Sequence, residues 1–282
     1  MIDARRRRRL PRRQRFSGQS FNRMLPNLMT LLGLCIGLSA IRLGMQDRYG
    51  AAVIAIAVSM VIDGLDGRLA RMLKATSRFG AELDSLSDFL CFGVAPALII
   101  YMWSLDALGA IGFLPPLMYA AAMALRLARF NAALDSAPKA AFAYNFFTGV
   151  PAPAGAALAL FPLFVGLEAD ELGMNWLHEL AAFPLFTGMA LVVVAGLSVS
   201  TLPVWSFKNF KIPTAGMLPM LLGVVVLAAL IFADPYLAGA LFGLAYMVML
   251  PFSLRSYRKL ARQAEERRAA AEDVPEAEPE TP

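Results

Sequence analysis

Four aspartates lie within long apolar segments of this chain, and they restrict how those segments can pack. Asp63 and Asp66 occur in the sequence DGLDGRLAR, residues 63–71, and Asp84 and Asp88 follow a short polar break. An aspartate at the centre of a lipid-embedded helix costs about 2.5–3.5 kcal/mol on insertion scales, so four unpaired ones would cost roughly 10 kcal/mol. The segments must therefore pack so that something neutralises these carboxylates.

The length and spacing of the apolar runs predict a polytopic helical membrane protein. Hydrophobic residues make up 58% of the 282 residues, above the usual share for soluble domains. Short polar breaks separate runs that are long enough to cross a bilayer, which excludes an ordinary soluble domain. We expect an all-α fold of about eight transmembrane helices, at about 25–43, 49–71, 79–103, 110–131, 147–167, 181–202, 215–232 and 235–252.

Charges at the ends and in the breaks predict the topology. The arginine-rich arm at residues 5–15 could bind nucleic acid or an anionic membrane surface. Because an apolar span follows directly, we interpret it as a cytoplasmic anchor and expect no nucleic-acid partner. The segment 255–268 is also basic, whereas 168–179 is acidic and is expected outside. This pattern predicts a multi-pass inner-membrane protein with both termini in the cytoplasm.

The chain divides into three predicted regions. Residues 1–24 form the basic arm, with a possible interfacial helix at 16–24, and residues 25–253 form the transmembrane domain. Residues 254–282 begin as a basic segment. From about residue 269 the tail is rich in Ala, Glu and Pro, and a segment with so few apolar residues to bury is expected to be disordered.

The spacing of the aspartates predicts a metal site between the second and third spans. Asp63 and Asp66 are three residues apart and Asp84 and Asp88 are four apart, so each pair projects from one face of a helix. Two such helices side by side direct four carboxylates into one space. Hard divalent cations prefer oxygen ligands, and Mg²⁺ is commonly held by a few carboxylates together with substrate phosphates.

These residues form the pattern D-x2-D-G-x2-A-R-x8-G-x3-D-x3-D over residues 63–88. The pattern resembles the signature of the CDP-alcohol phosphatidyltransferase family. Within that family, the chain is most similar to the integral-membrane (type II) phosphatidylserine synthases. This finer similarity extends over about residues 26–213 and depends on short motifs at 26–30, 92–96, 126–131, 149–153 and 207–213.

The resemblance implies an activity and roles for several residues. The reaction is transfer of a phosphatidyl group from CDP-diacylglycerol to the hydroxyl of L-serine, which gives phosphatidylserine and CMP. Catalysis would depend on Mg²⁺ or Mn²⁺, with two ions, in a homodimer surrounded by membrane lipids. The implied metal ligands are Asp63, Asp66 and Asp84, and Asp88 is implied to be a further ligand or the general base. The implied CDP site consists of Asp66, Gly67, Ala70 and Arg71.

Other residues are candidates because of their chemistry and position. Arg71 and Arg78 could form charge-assisted hydrogen bonds with a diphosphate. Gly67, Ala70 and Gly80 are small enough to let helices approach closely or to leave room for a ligand. Asn27 and Thr30 share one helix face, where capping and a nucleotide contact are both open.

The acceptor serine carries a carboxylate and an ammonium group. Its site needs a cation for the carboxylate, and an anion or carbonyl groups for the ammonium. The cytoplasmic cations available are Arg126, Arg129 and Lys139. The alternative role for these three residues is anchoring of the cytoplasmic side of the membrane domain.

Two classes of alternative function compete with this interpretation. Another member of the same family would use glycerol 3-phosphate, inositol phosphate or choline as the acceptor. A cation transporter or channel would also place carboxylates within the membrane. It would not need the Gly, Ala and Arg positions of the motif, and it would move ions without releasing CMP.

Overall fold

The computed structural model describes residues 21–134, 146–206 and 217–272, and these residues are almost entirely helical. A π-helix, Phe89–Val94, joins α3 to α4, and a 3₁₀-helix, Leu105–Phe113, joins α4 to α5. Two short strands are β1, Phe146–Thr148, and β2, Pro203–Trp205. The α-helices are α1 Phe21–Gly44, α2 Tyr49–Met72, α3 Arg78–Asp88, α4 Ala95–Trp103, α5 Leu114–Leu134, α6 Ala152–Ala159, α7 Phe161–Glu171, α8 Asn175–Ala181, α9 Pro184–Val199, α10 Met217–Ala233 and α11 Pro235–Glu272.

The predicted helical class is confirmed, and the long apolar helices fit a multi-pass membrane protein. Five segments are long and apolar enough to cross a membrane: Met24–Gly44, Tyr49–Met72, Arg78–Trp103, Leu105–Ala133 and Pro235–Ala264. Two bent pairs, α6 with α7 and α8 with α9, raise the number to seven if each pair is one span. Helix α10 is apolar but shorter.

Prolines explain where the bent pairs break. The two helices of each pair meet at 45° in α6–α7 and at 50° in α8–α9. Pro162 lies in the first turn of α7 and Pro184 opens α9. Proline has no amide hydrogen to donate to the carbonyl four residues earlier, so it favours the start of a new helix over continuation of the old one.

Close packing of small residues holds the centre of the bundle together. Every residue of α6 except Pro153 is buried, and the helix consists mostly of alanine. A side chain added at Gly155 would come within 2.4 Å of the Met123 side chain on α5. Such residues let helix backbones approach closely. This core therefore fixes α5 and α6 beside the π-helix that follows Asp88.

A hydrogen bond from outside the helix accompanies the π-helix. Pro96 cannot donate to the carbonyl of Phe92, four residues earlier. The hydroxyl of Tyr119, a fully buried side chain of α5, donates to that carbonyl at 2.8 Å. The kink expected at Pro96 therefore takes the form of a π-helical segment connected to α5.

The strand pair departs from the predicted all-α fold. Strands β1 and β2 are antiparallel, with Phe147 opposite Val204. Val150 and Leu202, which lie close to the strands, each directly precede a proline, and the residue before a proline favours extended backbone. Gly149 has a φ of +77°, which a glycine adopts at little cost, and its amide donates to the Leu202 carbonyl at 2.8 Å.

Several predicted boundaries are corrected by the structure. Helix α1 begins at Phe21 and contains Pro26, so residues 21–24 continue into the first span instead of forming a separate interfacial helix. Helix α11 continues to Glu272, so the predicted start of the disordered tail near residue 269 is too early. The acidic residues Glu168 and Glu171 lie on α7, not in a loop.

Some predictions concern residues outside the described ranges. These are the basic arm up to residue 20, Lys139, the basic and aromatic loop at 207–213 and the last residues of the tail. They stay predictions.

Candidate active site

Helices α2 and α3 bring three of the four predicted aspartate ligands together. One carboxylate oxygen from each of Asp63, Asp84 and Asp88 lies within 4.8 Å of the others. Two unit charges 4 Å apart repel by about 4 kcal/mol at an effective dielectric constant of about 20. A cation at the centre of these partly buried carboxylates, or a proton shared between Asp63 and Asp88, would offset this repulsion.

The position of Asp88 fits a bound divalent cation. Its Oδ1 atom is buried and has no hydrogen-bond partner in the part of the chain that the structure describes. A buried polar atom without a partner is unfavourable, and a carboxylate oxygen is a preferred ligand of Mg²⁺ and Mn²⁺. The residues present in this cluster therefore fit the metal that the sequence predicts.

Asp66 occupies a different position from the other three aspartates. It is only 2% exposed, and its Oδ2 atom accepts a hydrogen bond of 2.5 Å from the Thr30 hydroxyl on α1. It lies close enough to Asp63 and Asp84 to interact with them electrostatically. Asp66 therefore links the acidic cluster to the first helix.

A cavity of about 260 Å³ opens beside the acidic cluster. It lies between α1, α2, the loop after α2 and the start of α3, and Asp84 is part of both the cavity and the cluster. All the predicted nucleotide-binding residues except Arg78 line this cavity. They are Asn27, Thr30, Asp66, Gly67, Ala70, Arg71 and Gly80.

Arg78 lies outside this lining, as the exposed first residue of α3. Sequence reasoning also missed part of the wall, because the loop residues Ala75, Thr76 and Ser77 line the cavity. Ser77 is the N-cap of α3, where its hydroxyl accepts from the Gly80 amide at 3.0 Å. A serine just before a helical segment is a recognisable N-cap signal, and this signal could have identified the loop.

Two glycines shape the cavity in different ways. A Cβ atom at Gly80 would lie 2.9 Å from Oδ1 of Asn27, so glycine leaves room there for the Asn27 side chain of α1. A Cβ atom at Gly67 would have only the Arg71 Nη1 atom near it, at 3.9 Å. Gly67 therefore leaves free space on the cavity wall.

The two arginines predicted to bind the acceptor lie together at a second cavity, of about 220 Å³. Arg126 donates from Nε to the Val150 carbonyl at 2.6 Å and interacts electrostatically with Asp88. Arg129 instead donates to the carbonyls of Val199 and Ser200, at 2.5 and 3.0 Å. These carbonyls end α9, where a cation is favourable. Of these two arginines, Arg126 is thus the one that interacts with the acidic cluster.

A further link between α3 and α5 was not predicted. The Asn131 side-chain amide donates to the Ser85 hydroxyl at 3.0 Å. Ser85 follows Asp84 directly, so this contact fixes the helix turn that carries one of the clustered aspartates. No local pattern in the sequence indicates the pairing, because the two residues belong to different spans.

Comparison with known proteins accounts for this arrangement. Residues 23–185 match the model of a family described as CDP-alcohol phosphatidyltransferase. The chain belongs to the CDP-alcohol phosphatidyltransferase family. The match includes both aspartate pairs, the cavity and the two arginines of α5.

Three relatives with similar sequences illustrate the comparison. A CDP-diacylglycerol–serine O-phosphatidyltransferase of Mycobacterium bovis is 37% identical over 86% of this chain and 82% of its own length. A protein of the same name from Helicobacter pylori is 32% identical over 80% of this chain and 88% of its own. An archaetidylserine synthase of Methanothermobacter thermautotrophicus is 30% identical over 63% and 73%, respectively.

Proposed function

We propose that this protein is a CDP-diacylglycerol–serine O-phosphatidyltransferase, which converts CDP-diacylglycerol and L-serine to phosphatidylserine and CMP. The observation that carries the proposal is the group of Asp63, Asp84 and Asp88 beside a cavity lined by the rest of the family motif. The names of the bacterial relatives, which align over most of this chain, support serine as the acceptor.

The reaction forms one phosphorus–oxygen bond and breaks another. The serine hydroxyl oxygen attacks the phosphorus that carries diacylglycerol, and the bond from this phosphorus to the oxygen of CMP breaks. The hydroxyl proton passes to a base, for which we propose Asp88. The place of the Asp88 carboxyl group beside Asp63 and Asp84, where the reacting phosphate and hydroxyl would be held, supports this role. A positioned base of this kind contributes about 10²–10⁴-fold to a rate.

We propose Asp63, Asp66, Asp84 and Asp88 as the ligands of two divalent ions, Mg²⁺ or Mn²⁺. When bound, such ions neutralise charge on the diphosphate and on the attacking and leaving oxygens. Asp66 would contribute through the oxygen that Thr30 does not occupy. The hydrogen bond from Thr30 holds this carboxylate in one orientation, which favours a fixed ligand geometry.

The cavity at the motif is proposed to bind the CDP group. The exposed Arg71 of α2 lines it, and the first turn of α3 forms part of its wall. Both features favour a diphosphate, because an arginine donates paired hydrogen bonds and a helix N-terminus attracts anions. Arg78 would act at the edge of this site, and its role stays a prediction.

For the serine carboxylate we propose Arg126. Its interaction with Asp88 places its positive charge near the proposed base, and it lines a cavity that is separate from the CDP cavity. Arg129 is proposed to support this site indirectly, because its described hydrogen bonds go to the end of α9. Lys139 remains a predicted acceptor residue.

We further propose eight spans, with the active site between the second and third and both termini in the cytoplasm. Each bent pair would be one span, and α10 would cross as a 17-residue apolar helix. The basic residues at the end of α11 support a cytoplasmic C-terminus by the positive-inside rule. The inner-membrane location, the homodimer and the three-region division of the chain also stay proposals.

An acceptor comparison tests the proposed activity. The purified protein is reconstituted with CDP-diacylglycerol and Mn²⁺ or Mg²⁺, and radiolabelled serine, glycerol 3-phosphate, inositol phosphate and choline are compared. We expect a labelled lipid only with serine, together with an equal amount of CMP. Labelled lipid from another acceptor would identify a different family activity. Cation flux in the same vesicles without CMP release would support a transporter.

A further inference from the structure

A second acidic cluster lies far from the family motif. One carboxylate oxygen from each of Glu168, Glu171 and Asp234 lies within 4.8 Å of the others. Glu168 and Glu171 are in the last turn of α7, and Asp234 lies between α10 and α11. The cluster therefore joins α7 to the hairpin of the last two helices.

Neighbouring contacts place this cluster at the opposite end of the bundle from the motif. Tyr236, two residues after Asp234, reaches Gly50 at the start of α2. Gly166, two residues before Glu168, contacts the Trp103 side chain at the end of α4. Gly50 and Asp66 are 16 residues apart on one helix, which corresponds to about 24 Å at 1.5 Å per residue. This cluster is therefore separate from the aspartates of the active site.

The buried member of the cluster has an unsatisfied oxygen. Glu168 is only 9% exposed, and its Oε2 atom is buried without a hydrogen-bond partner in the described ranges. Burial of a carboxylate oxygen without a partner is strongly unfavourable. Because Glu168 also contributes to the cluster, its unsatisfied oxygen indicates that a positive group belongs there.

The surroundings supply no such group from the protein. Within residues 21–134, 146–206 and 217–272, the ion pair that the structure shows is His178 with Asp170, and it does not include this cluster. The end of α7 adds negative charge, because the C-terminus of a helix carries a partial negative charge. Asp234 accepts a hydrogen bond of 2.9 Å from the Leu237 amide, and its carboxyl group is also within hydrogen-bonding reach of Glu168, which adds no positive charge.

We propose that Glu168, Glu171 and Asp234 bind a divalent cation, with Ca²⁺ as the best fit. Ca²⁺ takes six to eight oxygen ligands in flexible geometry, including bidentate carboxylates, and an exposed side leaves room for water ligands. Glu171 is exposed and provides that open side. The ion would fasten the α10–α11 hairpin to α7, so its effect would be on the stability of the folded protein.

A titration in a variant without the motif cluster tests the proposal. The full-length Asp84→Asn/Asp88→Asn protein is studied in detergent, because these substitutions remove the competing site. Its Tm and its bound ⁴⁵Ca²⁺ are measured at increasing CaCl₂ concentration. MgCl₂ is the second probe. We expect saturable binding of either ion with a rise in Tm, because a ligand of the folded state stabilises it. Adding Glu168→Gln or Asp234→Asn should weaken binding by on the order of tenfold or more.

Two design features separate a cation site from a merely structural contact. First, Asp234 precedes α11 and accepts a hydrogen bond from the Leu237 amide in the first turn of that helix. Asparagine can accept the same bond, so Asp234→Asn preserves it. Second, in EDTA, Glu168→Gln should raise Tm, because it removes repulsion among the carboxylates, while it abolishes the response to CaCl₂. A structural role alone would lower Tm with and without the ion.

Glu171→Gln provides a second variant at an exposed position, and Glu179→Gln in α8 removes the same charge at the same end as the matched control. Glu171→Gln should weaken Ca²⁺ binding, and Glu179→Gln should leave it unchanged. The proposal is overturned if CaCl₂ and MgCl₂ shift Tm equally in the parent and in all cluster variants. It is also overturned if neither ion binds, in which case a proton shared by the carboxyl groups would replace the cation.

Discussion

The Thr30 hydroxyl donates a 2.5 Å hydrogen bond to the Asp66 carboxylate and so connects α1 with the motif on α2. Hydrogen bonds to charged groups contribute about 1.5–3 kcal/mol. We expect Thr30→Val to lower kcat/KM for CDP-diacylglycerol by about 10–100-fold, because Asp66 loses its fixed orientation. Thr30→Ser keeps the hydroxyl and should retain most activity. Equal activity of the Val and Ser variants would show that the bond is unimportant.

Substitution of two glycines by alanine should show which of them leaves space for the substrate and which is needed for packing. Gly67→Ala should leave Tm unchanged or slightly higher, because the new methyl group meets only Arg71 within 4 Å and alanine favours a helix by about 0.5–1 kcal/mol. It should nevertheless raise KM for CDP-diacylglycerol, since the methyl group occupies cavity space. The control is Gly64→Ala, an exposed position with nothing within 4 Å, which should leave KM unchanged.

Gly80→Ala, unlike Gly67→Ala, should lower the stability of the protein. Its methyl group would lie 2.9 Å from Oδ1 of Asn27, so the Asn27 side chain or α3 itself must shift. We expect a lower Tm together with lower activity, and the Tm should be partly restored when Asn27→Ala makes room. Thermal unfolding of the single and double variants measures this coupling. If the two substitutions have additive effects, this close contact is not what requires glycine at residue 80.

The two arginines of α5 should differ in their effects. Arg126→Ala is expected to raise KM for serine and to leave KM for CDP-diacylglycerol nearly unchanged, because its charge lies near Asp88. Arg129→Ala is expected mainly to lower Tm, since two charged hydrogen bonds to the end of α9 are lost. Kinetics with each substrate varied in turn, alongside Tm, separates these effects. Equal rises in both KM values for Arg126→Ala would contradict its assignment to serine.

Substitutions in the acidic cluster should separate catalysis from stability. Asp88→Asn should lower kcat by about 10²–10⁴-fold, which is the usual contribution of a general base. In EDTA the same variant should be as stable as the parent or more stable, because one repulsive charge is removed. Glu82→Gln, on the exposed side of the same helix, is the matched control and should have no effect on kcat. Full turnover of Asp88→Asn would exclude it as the base.

The sequence predicted the parts of the site that depend on short spacing. Asp63, Asp84 and Asp88 converge as this spacing predicts once the two spans are neighbours, whereas Asp66 accepts a hydrogen bond from Thr30 on α1, which the spacing does not indicate. Three other contacts could not be predicted. Arg129 donates hydrogen bonds to the end of α9, Phe147 pairs with Val204 across the strands, and Glu168 lies beside Asp234. Each of these contacts joins residues of distant segments, and no local periodicity records such a pairing.

Tyr119 also makes a contact between distant segments that the sequence does not indicate. Its hydroxyl donates to the Phe92 carbonyl, to which Pro96 has no amide hydrogen to donate. Tyr119→Phe leaves this buried carbonyl without that hydroxyl donor, which costs about 1–3 kcal/mol. We expect a clearly lower Tm and, because the π-helix begins directly after Asp88, a lower kcat as well. Tyr101→Phe, which removes an exposed hydrogen bond to Asp106, is the control and should change Tm much less. If both variants melt at the parental temperature, water or the π-helix itself satisfies the Phe92 carbonyl, and Tyr119 is only a packing residue.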